Sequence, residues 1–147
     1  MITPAGAMAL AVSPYVKIPT ANQAIGNGKV EVGLIVPVQF TLPGNWQLLF
    51  DPELDALENS NGDGRHVSVS RLISLSRPIS KTVTLSGELW SSRNFDPSRT
   101  VTQASADLGA AWVPAAAPNL QLDAGLNLGL NGATPALQAY VGISRRF

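Results

Sequence analysis

The chain has 147 residues, with ten basic and ten acidic side chains, so its formal net charge is zero and only 14% of its residues are charged. This sparse, balanced charge excludes the basic field that nucleic-acid binding requires, and the absence of cysteine excludes disulfides and thiolate metal sites. No segment approaches 18 uninterrupted apolar residues, which excludes a transmembrane helix.

The start of the chain, residues 1–12, is built from small apolar residues and lacks the positive charges that open a signal peptide. We interpret it as part of the first strand. Delivery to an outer membrane normally requires a signal sequence, so we expect the sequence to be the C-terminal part of a longer protein.

Alternation of apolar and polar residues with a period of two runs along the whole chain and predicts β-strands. The seventh strand is the clearest, because its alternation lasts about 11 residues, the length of a tilted strand that crosses a bilayer. Eight strands, an even number typical of bacterial barrels, are predicted over 6–18, 28–41, 45–57, 65–77, 81–92, 100–113, 119–130 and 135–147.

Four residues conflict with this pattern. Pro14, Pro37 and Pro52 lie inside predicted strands, and because proline cannot donate to a ladder, each predicts a bulge, a shifted boundary or an edge. Arg71 falls on the apolar face of the fourth strand, where an arginine near the bilayer midplane costs about 2–4 kcal/mol.

The connections between the strands indicate which face meets lipid. One end receives the short turns 42–45, 77–80 and 113–119, and the other receives the longer polar loops 19–28, 58–64 and 91–99. Short periplasmic turns with longer outer loops are typical of outer-membrane barrels. We therefore expect an all-β, antiparallel, up-and-down transmembrane β-barrel of about eight strands, forming one domain over 1–147 or the C-terminal part of a larger barrel.

Carboxylates fall on the non-apolar side of these strands and are the candidate lumen-lining residues. They either bias a pore toward cations and polar solutes or pair with Lys17, Lys29 and Arg146. We expect the pairing, because a closed eight-stranded barrel is just wide enough to be filled by its own side chains. The seven carboxylates are Glu31, Asp51, Glu53, Asp55, Glu88, Asp107 and Asp123.

Catalysis and metal binding receive little support from the sequence. The single histidine, His66, shares a predicted face with Ser68 and Ser70, but closeness in sequence does not make a triad. The segment 59–64 imitates the start of a calcium loop, yet its twelfth position is Ser70 rather than glutamate. We expect no enzymatic activity, no metal site and no cofactor.

Several segments also carry a resemblance to a known family. The pieces Pro14-Tyr-Val-Lys-Ile-Pro-Thr20, 25–28, 107–112, 119–129 and the terminal Val-Gly-Ile-Ser-Arg-Arg-Phe147 resemble the C-terminal portion of outer-membrane transporters of the MetA-pathway of phenol degradation family. The resemblance implies a channel in the bacterial outer membrane for hydrophobic or aromatic compounds. The implied partners are the lipid bilayer, the outer-membrane assembly machinery and a small hydrophobic solute.

The end of the chain is the candidate assembly signal, with Val141, Ile143 and Phe147 as its residues. The family usually carries an aromatic or apolar residue two positions before the terminal Phe, whereas this chain has Arg145. Two alternatives remain open at this point: a soluble calycin-like barrel that binds an apolar ligand, and a structural barrel without transport.

Overall fold

A computed structural model describes residues 6–20 and 28–147, which form an antiparallel β-sheet. None of these residues belongs to a helix with the length and hydropathy of a membrane span. A short 3-10 turn spans Pro43–Asn45. The strands are β1 (Met8–Leu10), β2 (Ser13–Lys17), β3 (Glu31–Ile35), β4 (Val38–Leu42), β5 (Trp46–Glu58), β6 (Arg65–Pro78), β7 (Val83–Asn94), β8 (Val101–Trp112), β9 (Leu120–Gly129) and β10 (Leu137–Arg145).

The ten strands follow the eight predicted ones, because two predicted strands are each interrupted once. β1 pairs with β4 and β2 pairs with β3 in one continuous register, with Leu10 opposite Val38 and Ser13 opposite Ile35. A backbone bond from Ala11 to Pro37 bridges the interruption. β1 with β2, and β3 with β4, are therefore halves of two bent strands, and each later strand pairs with its neighbour in sequence from β5 to β10.

The three prolines behave differently. Pro37 lies in the predicted break, between β3 and β4, and Pro14 lies in β2 at an edge of the sheet. A break at Pro52 was the wrong expectation, because β5 runs through it without interruption. The carbonyl of Pro52 accepts a bond from Val36, so its missing N–H faces the gap between β3 and β4, where the partner strand is itself interrupted.

Burial in this sheet is inverted relative to a water-soluble domain. No hydrophobic side chain is buried among the described residues, and large apolar side chains are exposed along every strand from β5 to β10. The side chains are buried on the polar side of the sheet only, which indicates that the sheet curves toward that side. We call the polar side the inner face and the opposite side the outer face. The buried residues are Glu31, Thr41, Asp55, His66, Ser68, Ser70, Ser74 and Ser105.

The sheet is open, so the expectation of a closed eight-stranded barrel is wrong for the described residues. β10 pairs only with β9, and the bent strand of β1 and β2 pairs only with that of β3 and β4. The alternation of side chains specifies faces and neighbouring strands, but it carries no information on a register between the first strand and the last.

Both edge strands are held down by a tyrosine ring that lies over a glycine. A Cβ added at Gly33 would lie 2.5 Å from Tyr15 Cζ, and one added at Gly125 would lie 2.5 Å from Tyr140 Cζ. The two tyrosines belong to β2 and β10, and the glycines to the strands beside them. Aromatic cover of a glycine on a neighbouring strand is a known device for fixing register.

We expect Gly125→Ala to lower the free energy of unfolding by about 1–3 kcal/mol, because the new methyl group overlaps the Tyr140 ring. The control is Gly87→Ala, whose Cβ would meet only Leu108 Cδ2 at 3.8 Å. Urea unfolding in detergent micelles measures both variants. Equal midpoints for the two would show that the tyrosine does not rest on the glycine.

Candidate functional site

The outer face is a continuous apolar surface. Register places apolar residues beside one another across strand boundaries, as in Leu54 opposite Val69, Ile73 opposite Leu89 and Leu108 opposite Leu126. Soluble monomers rarely expose contiguous apolar patches larger than a few hundred Å². The exposed outer-face residues of the central strands include Phe50, Leu54, Val67, Ile73, Leu75, Leu85, Leu89, Leu108, Leu126 and Leu128.

Arginine–aromatic pairs bound this apolar surface at both ends of the central strands. The Arg77 guanidinium lies 5.4 Å from the ring centre of Trp46, and that of Arg93 lies 5.0 Å from Phe95. Arg77 is opposite Leu85, eight residues before Arg93 on β7. At about 2.5 Å of height per residue in a tilted strand, the two pairs are about 20 Å apart, close to the apolar band of outer-membrane barrels, about 25 Å tall.

Arg71 lies on the outer face, as its predicted register requires. It is mid-strand, opposite Pro52 and Ser91, and its Nε donates a 2.9 Å bond to Ser91 Oγ. It lies seven positions before Pro78, the residue at the turn end of β6, so it is about 18 Å from that end of the strand. Its long side chain can therefore extend toward the loop end of the strand.

The residues of the candidate assembly signal are exposed on and beside β10. Val141 and Ile143 keep 88% and 72% of their surface, and Phe147 is fully exposed after the strand ends. The guanidinium of Arg145 lies 5.6 Å from the ring centre of Phe147. Arg145 stands where the family that the chain resembles usually carries an aromatic or apolar residue. It forms the same kind of arginine–aromatic contact as Arg77 and Arg93.

The inner face holds all seven candidate lumen carboxylates, and none of them is fully exposed. Three of them, Asp51, Glu53 and Asp55, alternate along β5. The others lie on four further strands, with Glu31 on β3, Glu88 on β7, Asp107 on β8 and Asp123 on β9.

Ion pairing is sparse on this face. Lys17 binds Glu31 at 2.5 Å, while Lys29 binds Glu58, outside the candidate set, also at 2.5 Å. Within the described ranges no salt bridge reaches the other six carboxylates. The expected pairing is therefore formed at Glu31, whereas the other six carboxylates have no cationic partner in the described ranges.

Neutral donors contact five of these six carboxylates. The Tyr15 hydroxyl lies 2.8 Å from Glu53 and 2.6 Å from Asp55. Ser74, Ser105 and Gln121 donate to Glu88, Asp107 and Asp123 at 2.9, 3.2 and 2.8 Å. Hydroxyl and amide groups orient the carboxylates but add no positive charge.

Two carboxylates face each other directly across a strand boundary. Glu88 on β7 is the register partner of Asp107 on β8. Like charges at opposed positions destabilise a sheet, and neither group has a cationic partner among the described side chains. Acidic linings of this kind attract cations in channels, so this is the part of the inner face best suited to a function.

The candidate catalytic residues are not assembled. His66 Nδ1 lies 2.9 Å from Asn59 Oδ1 and 3.8 Å from Asp96 Oδ2. Ser70 Oγ instead donates to Ser92 at 3.0 Å. No hydrogen bond joins His66 to either nearby serine in the described part of the chain.

Metal-binding geometry is likewise not formed where the structure is described, since no group of three His, Asp or Glu side chains could hold an ion there. The segment that imitates a calcium loop is a turn. Gly62 donates a 2.8 Å bond to the Asn59 carbonyl, and both Gly62 and Gly64 have a φ of 78°.

Asp96 joins the β5–β6 loop to the β7–β8 loop, a contact that the sequence did not indicate. Its carboxylate accepts 2.8 Å bonds from the backbone N–H groups of Ser60 and Ser98. These two bonds, with that of Ser98 foremost, lower the pKa of Asp96 to about 2. The segment Asp96-Pro97-Ser98 consists of residues that favour turns, so the turn itself could be predicted. The contact with Ser60 could not, because nothing in the sequence indicates it.

We expect this contact between the loops to persist in acid. Because the pKa of Asp96 is lower in the folded state than its ordinary value of about 4, the stabilisation is complete above about pH 4 and is lost as the pH falls through about 2. NMR shifts of the Ser60 and Ser98 amide protons, followed from pH 7 downward, measure it. A midpoint near 4 in both signals would contradict the assignment.

No protein-family model, curated protein or solved structure matches this chain. The resemblance of its segments to an outer-membrane transporter family remains a prediction.

Proposed function

We propose that the chain is a transport protein of the bacterial outer membrane, with its outer face against lipid and its acidic inner face along an aqueous path for cations and polar solutes. The observation that carries the proposal is the inverted burial. Each buried side chain among the described residues is polar, and large apolar side chains are exposed along every strand from β5 to β10. Outer-membrane barrels alternate apolar-out and polar-in in this way.

The burial pattern weighs against the soluble alternative. A calycin-like barrel encloses its apolar side chains around the ligand and exposes its polar side chains to water. Here Ser70 and Ser74 are buried on β6, while Ile73 and Leu75 beside them are exposed. In water this arrangement would forgo the hydrophobic stabilisation of the outer face, about 25 cal/mol for each Å² of apolar surface.

The acidic inner face favours transport over a purely structural barrel. Six carboxylates form no ion pair within the described part of the chain and repel one another. A barrel that served only as a scaffold would be more stable with a neutral interior. A solute path gives these charges a use, because a lining of one sign concentrates counter-ions.

Membrane insertion places a requirement on the two free edges of the sheet. In hydrocarbon each unpaired N–H or C=O group costs several kcal/mol, and both the β1/β2 edge and the β10 edge lack partners among the described residues. The proposal therefore requires both edges to be paired in the membrane, either with each other or with other strands. A band that shifts on boiling in a detergent gel tests whether this pairing forms.

We further propose that the exposed Val141, Ile143 and Phe147 serve recognition by the outer-membrane assembly machinery, as the family resemblance implies. The hydrophobic or aromatic solute implied by the same resemblance would need apolar contacts on the inner face. Leu49, Leu72 and Trp90 occupy inner-face positions in the registers of β5, β6 and β7, so the path offers such contacts beside its carboxylates.

The function is tested by the reversal potential of the reconstituted protein in a potassium chloride gradient. We expect cation selectivity, and we expect the double substitution Glu88→Gln with Asp107→Asn to move the reversal potential toward zero, because it removes the opposed charges. Asp63→Asn, in an exposed loop, is the control. Anion selectivity, or an unchanged potential in the double variant, would contradict the proposal.

Lipid contact is tested by moving one substitution along one strand. We expect Leu89→Arg, at mid-strand on the outer face, to lower the free energy of unfolding by about 2–4 kcal/mol in a bilayer, because the charge lies near the midplane. Leu85→Arg lies level with Arg77 and is expected to cost about 0–1 kcal/mol. Urea unfolding in lipid vesicles measures both, and equal effects would argue that the outer face meets water.

A further inference from the structure

A cavity of about 470 Å³ opens on the inner face toward its β10 side. Trp90 and Leu72 supply its apolar lining, and Ser105, Asp107 and Asn127 supply polar groups. Its volume falls in the range of small-molecule sites, about 300–1,000 Å³, and so does its mixture of an apolar surface with a few polar groups.

The loop between β9 and β10 forms one wall of this cavity through Thr134 and Pro135. Gly129 allows the close approach, since a Cβ added there would lie 3.0 Å from the Pro135 carbonyl carbon. Side-chain bonds hold the loop in place, from Gln103 Nε2 to the Ala133 carbonyl and from the Ala104 N–H to Thr134 Oγ1, each 2.9 Å. The wall is therefore a fixed part of the structure.

Two acceptors of the polar lining receive no hydrogen bond. Ser105 donates to Asp107 Oδ2, but Asp107 Oδ1 and Asn127 Oδ1 have no partner among the described residues. The two residues are register partners on β8 and β9, and Glu88 adds a second carboxylate on the other side of Asp107. Unsatisfied acceptors beside two carboxylates favour a ligand that brings both N–H donors and positive charge.

The apolar side of the cavity specifies the rest of the ligand. An indole face attracts cations and stacks with aromatic groups, and Trp90 lies opposite both Leu72 and Ser105 in the register. We propose that this cavity is a binding site for small organic cations that join a primary ammonium group to an aromatic or aliphatic body. The site rests on the proposed function in one respect, since it needs an inner face that water and solutes can reach.

Phenethylamine is the probe, and 2-phenylethanol is its neutral counterpart. With Trp46→Phe and Trp112→Phe, the emission of Trp90 alone reports binding to the folded protein in detergent. We expect phenethylamine to change this emission saturably and 2-phenylethanol to bind at least about tenfold more weakly, because the alcohol has no charge to place beside Asp107. Calorimetry on the protein with all three tryptophans checks the result without those substitutions.

Two further variants separate a local site from a general attraction of cations to the inner face. We expect Asp107→Asn to raise the dissociation constant of phenethylamine at least about tenfold. Gly129→Ala leaves every charge in place but displaces the loop wall, and we expect it to weaken binding as well. Gly87→Ala, on the outer face, is the control and should bind as the unaltered chain does.

The proposal is overturned if phenethylamine and 2-phenylethanol bind equally, or if Gly129→Ala binds like the control, because the cavity would then contribute nothing. Conductance separates this failure from failure of the proposed function. Cation-selective conductance without phenethylamine binding would reject the site alone. Binding without conductance would reject the channel and keep the site.

Discussion

The two-residue period of the strands is the constraint on which this structure depends. Each strand places one residue on the inner face and the next on the outer face, so one sequence pattern specifies both surfaces. Because the sheet curves toward the polar side, serines and carboxylates are crowded together while leucines are spread outward. The inner face must then satisfy its polar groups by hydrogen bonds within the sheet, and the outer face must find an apolar surrounding.

Hydrogen bonding on the inner face is incomplete among the described residues, and the missing groups are donors. Hydroxyl groups from Tyr15, Ser74 and Ser105 orient the carboxylates, yet atoms of Asp107 and Asn127 remain without partners among the described residues. The atoms left over are acceptors on a face with negative charge. This imbalance links the proposed cation path with the proposed amine site, because both depend on charge that the chain itself does not neutralise.

Much of the fold could be predicted from the sequence, because it depends on local alternation. The strand segments and the outward register of Arg71 follow from period two, and the structure confirms them, although two of the eight predicted strands are each interrupted once. The role of the seven carboxylates as a lumen lining stays a prediction. Contacts between distant segments could not be predicted. The bond between Ser60 and Asp96, the bonds from Gln103 and Ala104 to the β9–β10 loop and the free edges of the sheet depend on how segments 30 or more residues apart are arranged, and alternation says nothing about that.

The central claim, that the outer face meets lipid, is tested most directly by a solvent probe scanned along β9. The chain has no cysteine, so single cysteines at Leu126, Asn127 and Leu128 can each carry an environment-sensitive fluorophore in lipid vesicles. The account predicts that labels at Leu126 and Leu128 are quenched by nitroxide lipids and shielded from iodide, whereas the label at Asn127 shows the reverse. Iodide quenching at all three positions, with no effect of nitroxide lipids, would contradict the account.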